Sequence, residues 1–91
     1  MAYEAEGKQI AQDLNVRFGK LLEARLERKH PSRIVLVFEK QEVTLPDEFI
    51  FKFGYSGSGP DCFYAFLQAS GFTISKEKVT SAKEGDVLRP S

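Results

Sequence analysis

Hydrophobic and polar positions repeat along this chain with two different periods, and the changes of period mark its elements. From residue 4 to 14, Ile10, Ala11 and Leu14 fall at i, i+1 and i+4, while Lys8, Gln9, Gln12 and Asp13 take the other face. That spacing predicts a helix. Two readings compete between Arg17 and Lys29. Leu21 to Glu27 are good helix formers, so one helix from 4 to 28 is open. The same stretch alternates, with Leu22, Ala24 and Leu26 against Glu23, Arg25 and Glu27, as a strand does. Pro31 and Ser32 make Lys29 to Ser32 a turn.

Ile34 to Phe38 is an apolar, β-branched run, the pattern of a central strand covered on both faces. Glu39-Lys40-Gln41 connects it to Val43 and Leu45, a second hairpin closed by Pro46-Asp47. Phe49, Phe51 and Phe53 alternate with Ile50 and Lys52 and predict a further strand. After Gly54 to Pro60, residues 61 to 70 read as a largely apolar helix, with Pro60 at its start, Ser58 or Gly59 as cap and Gly71 at the left-handed position beyond its end. Phe72 and Ile74 alternate, Val79 to Ala82 are placed to pair back, and Glu84-Gly85-Asp86 reads as a turn before Val87 and Leu88. The expectation is an α+β fold: a single small domain over residues 1–91, with a mainly antiparallel sheet of four or five strands and two helices packed on one face. Its strands are 20–28, 34–38, 43–45 and 49–53, joined by 72–74.

Composition narrows the function more than it names it. The 91 residues include eight Phe and three Tyr, enough apolar surface for one modest core. Thirteen Lys and Arg balance thirteen Asp and Glu, so no global field gathers polyanions. One Cys and one His exclude a disulfide framework and leave no multi-ligand metal site; no cofactor is expected. The N-terminus is acidic and no apolar run approaches a membrane span, so the expected setting is the cytoplasm, away from membranes.

The most informative stretch is Gly54-Tyr55-Ser56-Gly57-Ser58-Gly59-Pro60. A strand, a glycine-rich loop and a helix together form a backbone cradle for an anion. The phosphate-loop pattern nevertheless fails, because the loop ends in Gly59-Pro60-Asp61 where Gly-Lys-Ser/Thr is required. The dinucleotide and nucleophile-elbow spacings fail as well. The simpler reading is a tight turn whose glycines take positive φ and let Tyr55 lie over the core. Tyr55, Ser56 and Ser58 then edge whatever binding surface exists.

F-K-F-G-Y-S-G-S-G-P, at Phe51 to Pro60, resembles a motif close to F-x-W-G-Y-G-G-S-G-P in a family of small bacterial proteins of uncharacterised function. There too an apolar helix follows the motif and a hairpin precedes it. The likeness covers about residues 20 to 70, with Phe53 in place of Trp and Ser56 in place of Gly. It implies that residues 20 to 29 form a strand and that the loop is a recurring device. It carries no activity.

Two further groups compete for function. Arg25, Arg28, Lys29 and Arg33 flank the turn around His30, with Arg17 and Lys20 extending them, a candidate phosphate contact to which Tyr55 adds stacking. Glu23 and Glu27 interrupt that cluster. Cys62 near a helix N-terminus is a candidate nucleophile, but Asp61 opposes its ionisation and it shares a side with Phe66 and Ala69, as a buried, inert cysteine would. With no polar constellation for acid–base or metal chemistry, the favoured expectation is a non-catalytic protein-interaction or accessory module that binds a protein partner or its own twofold mate. Nucleic-acid binding through the basic turn is the alternative.

Overall fold

A computed structural model describes residues 2–29 and 31–90, with side chains from Glu4 onward. His30 lies outside the described residues. The order is α1 (Ala2–Phe18), β1 (Leu21–Lys29), β2 (Ser32–Phe38), β3 (Glu42–Leu45), α2 (Ser58–Ala69), α3 (Lys76–Thr80) and β4 (Asp86–Leu88). The strands form one antiparallel sheet, β3-β2-β1-β4. This is the expected small α+β domain, with α1 and α2 packed on one face.

The long-helix alternative ends at Gly19. Its φ of +86° is a left-handed turn, and its N–H donates to the Asn15 carbonyl at 3.0 Å, closing α1. β1 then pairs with β2 from Leu21 to Lys29 through two register shifts. The first shift corrects the expected faces of β1. Leu21, Ala24 and Leu26 are fully buried, whereas Leu22 is turned out and exposed.

The expected strands at 49–53 and 72–74 are absent, and their side chains are still used. Phe51 and Phe53 are buried, and Phe51 lies 5.2 Å from the Phe63 ring and 4.8 Å from that of Phe66. An unpaired extended chain alternates its side chains as a strand does, so the period reports extension and not pairing. The fourth strand is instead β4, docked on β1 with Ala24 opposite Leu88. Val79 does not pair back but is buried on α3, whose Ser75 hydroxyl caps it by accepting from the Lys78 N–H.

β2 is covered by helices on one face only. Ile34, Leu36 and Phe38 point into the core shared with α1 and α2, while Val35 and Val37 point to the opposite side. Val35 is nonetheless only 5% exposed. The Arg25 guanidinium, on the β1 residue opposite Val35, reaches Glu42 on β3 at 4.0 Å and so spans β2 on this side.

α1 and α2 cross at close range because small residues face the crossing. A Cβ on Gly7 would stand 3.1 Å from the Phe66 backbone nitrogen and 3.2 Å from the Ala65 Cβ, and nearer still to the Cys62 carbonyl oxygen. Ala11, one turn on, is buried beside it. At the far end of α2, Gly71 takes φ +94°. Its N–H donates to Gln68 at 3.0 Å and that of Phe72 to Leu67 at 2.9 Å, the Schellman arrangement that the glycine predicted.

Candidate functional site

The glycine-rich loop is built differently from its expectation. Only Gly54 has positive φ, at +83°. Gly57, and not Ser58 or Gly59, is the N-cap of α2, in an extended conformation with no side-chain cap, and Ser58 and Gly59 lie inside the first turn. Pro60 is the third helical residue, where a missing N–H costs nothing. Asp61 faces the positive end of the helix and pairs with Lys76 on α3 at 2.8 Å, which raises the lysine's pKa.

Gly59 and Gly54 each have a steric task. At Gly59 a Cβ would stand 2.8 Å from Lys52 Cγ and 3.0 Å from the Ile50 carbonyl, so α2 rests directly on the 50–52 segment. At Gly54 a Cβ would stand 2.6 Å from Lys29 Cε. The Lys29 arm therefore lies across Gly54 and donates to its carbonyl at 3.5 Å. The Gly54 N–H donates to Val79 at 3.0 Å, tying the loop to α3.

These contacts make a hollow of about 210 Å³ from segments far apart in the chain. Lys29 comes from the end of β1, Ser32 from the start of β2, Asp47 from the turn after β3, and Lys52, Phe53 and Tyr55 from the run into the loop. Tyr55 is 49% exposed, at the rim and not over the core. Asp47 accepts from the Ser32 N–H, its own carbonyl accepts from the Lys52 ammonium, and its carboxylate lies 3.9 Å from that ammonium. Among the described residues two lysines stand against one aspartate, and the Lys29 ammonium makes no ion pair with a carboxylate. Ammonium donors, a phenol and an apolar wall suit the capture of a small anionic group.

Of the expected binding residues, Tyr55 lines this hollow; Ser56 and Ser58 are exposed outside its lining. The basic turn does not converge as one patch. Arg25 pairs with Glu23 at 2.7 Å, and Arg33 with Glu27 at 3.0 Å. The Arg25 contact, reinforced by Arg89, holds the Glu23 carboxyl below its ordinary range. Lys29 turns to the loop, and exposed Arg28 lies opposite Arg33 in the β1–β2 register. The Glu23 and Glu27 that interrupt the cluster in sequence are thus the partners of two of its cations, Arg25 and Arg33. Lys52 and Asp47 were not singled out; Lys52 carried a signal in its alternation against inward Phe51 and Phe53.

Cys62 is wholly buried, and burial pushes its thiol up to about 11, away from nucleophilic character. Among the described residues no three His, Cys, Asp or Glu side chains gather as metal ligands would. Among those residues, too, no helix is long and apolar enough to cross a membrane. Comparison with protein-family models, curated proteins and solved structures finds no match to this chain.

Proposed function

We propose that this chain is a non-catalytic protein-interaction module that takes a carboxylate side chain of a protein partner in the Tyr55 hollow. The observation that carries the reading is the convergence of Lys29, Lys52 and Tyr55 around one opening. Pairing of an incoming carboxylate with the Lys29 ammonium beside a phenol is charge-assisted and directional, while Lys52, held by Asp47, closes the side of the opening. Tyrosine supplies contact area at low entropic cost, as it does in many interfaces. A lone buried thiol suits a reducing cytoplasm. The likeness of Phe51 to Pro60 to the bacterial motif supports a loop kept for this geometry and a bacterial setting.

A nucleic-acid reading rests on one observation, the juxtaposition of Arg28 and Arg33 beside Lys29. It is the weaker of the two, because Arg25 and Arg33 are already paired with carboxylates, which leaves Arg28 and Lys29 as the unpaired cations among the described residues of this turn. Titration of the amide NMR spectrum with a glutamate-rich peptide and with a single-stranded oligonucleotide separates them. The proposal expects the peptide to shift Lys29, Lys52 and Tyr55, and Lys29→Glu to remove the response. An oligonucleotide that shifts Arg28 and Arg33, with a log–log salt slope of about 0.7 per phosphate, favours the alternative. Light scattering shows whether the partner is a second copy.

A further inference from the structure

A second surface shares no lining residue with the Tyr55 hollow. Between α1 and β3 runs a groove of about 460 Å³, walled by Ile10 and Leu14 on one side and Val43, Phe49 and Ile50 on the other. All five are half-buried hydrophobics resting on the core, so their outward faces are apolar and open to solvent. Around them stand Glu6, Asp13 and Glu48, and among the described residues no lysine or arginine lines the groove. Asp13 meets Arg17 at 3.3 Å, while among the described residues no ion pair involves Glu6 or Glu48.

We infer that this groove docks a basic amphipathic helix presented by a protein partner. An apolar floor ringed by carboxylates complements a helix with an apolar stripe and Lys or Arg along its flanks. Ile10 and Leu14, one turn apart on α1, present the ridge against which such a stripe packs. Strand addition is the poorer fit, because the edge strand β3 has four residues and is followed at once by Pro46, which offers no N–H. The inference stands apart from the carboxylate-binding reading, since the two surfaces call for opposite charge.

The probe is a model amphipathic peptide of Leu and Lys only, with Leu at i, i+3, i+4 and i+7, set against a counterpart with Glu for every Lys. Both are titrated into the full chain by amide NMR. The Leu–Lys peptide is expected to shift Ile10, Leu14, Val43, Phe49 and Ile50, and the Leu–Glu peptide to leave them unmoved. Exchanging the two exposed rim carboxylates, Glu6→Lys with Glu48→Lys, is expected to weaken binding about tenfold without changing the melting temperature. Leu14→Asp tests the apolar floor separately. The inference is overturned if the Leu–Glu peptide binds equally well, if the double variant binds as the wild type does, or if the shifts map elsewhere or are absent. Concentration-dependent broadening of the same five amides without peptide would overturn it in favour of a second copy.

Discussion

Gly7→Ala is expected to destabilise this protein, the reverse of what the substitution does in an open helix. Within an unpacked helix, replacing Gly by Ala gains about 1 kcal/mol from propensity. Here the added carbon meets the Phe66 backbone nitrogen at 3.1 Å and the Ala65 Cβ at 3.2 Å, and comes nearer still to the Cys62 carbonyl oxygen. Ordinary contact begins at 3.4 Å, and two of these three atoms are backbone, so no rotamer change relieves them. α1 must move away from α2, an overpacking cost of about 1–3 kcal/mol to which the loosened packing around Ala11 adds. With the propensity gain subtracted, the net expectation is a loss of up to about 2 kcal/mol, or a melting temperature lower by up to about 10 °C for a domain of this size. Thermal and urea unfolding followed by circular dichroism read it directly, with an unchanged m-value. Gln9→Gly, on the exposed face, serves as the propensity control and should cost somewhat under 1 kcal/mol. A Gly7→Ala protein that melts at or above the wild-type temperature would refute the close crossing.

The other predictions concern the loop, the thiol and the aromatic core. Gly54→Ala should cost about 1–3 kcal/mol through its positive φ and displace Lys29, whereas Gly57→Ala, at an extended position where the new carbon meets only the exposed Tyr55 ring at 3.0 Å, should cost less as the ring swings aside; equal costs by thermal melt would contradict the difference in backbone. Cys62 should resist alkylation at pH 8 until the chain unfolds. Its thiol titrates near 11 in the fold against about 9 when free, so stability is intact below pH 9 and falls as pH rises toward 11. Cys62→Ala should flatten that fall in melting temperature. Phe51→Ala should cost about 3–5 kcal/mol, although Phe51 belongs to no strand; a loss under 1 kcal/mol by urea unfolding would remove the segment from the core.

The local elements were legible in the sequence and the long-range ones were not. The Ile34 to Phe38 run and the closing Gly71 act within a few residues of themselves, and both appear where the pattern puts them. Gly7 reads as a weakness in a helix until α2 is laid against it. Leu22 is misplaced because a bulge moves the register by one residue, which a period of two cannot reveal. β4 and α3 are too short for a period to declare. The candidate site was half legible. Tyr55 and Lys29 stood out separately, one in a loop and one in a basic turn, and only the fold brings them to the same opening. Lys52 and Asp47 join them through the packing of Gly59 on residues 50–52 and the bond from Ser32 to Asp47.

The central claim is most directly tested by affinity capture from lysate with three baits: the wild type, Lys29→Glu and Tyr55→Ala, each first shown to melt at the wild-type temperature. The account predicts a protein retained by the wild type in moderate salt and lost from both variants, because Lys29 supplies a charge and Tyr55 a contact face on the same small hollow. The absence of any protein that the wild type retains and both variants lose would contradict it.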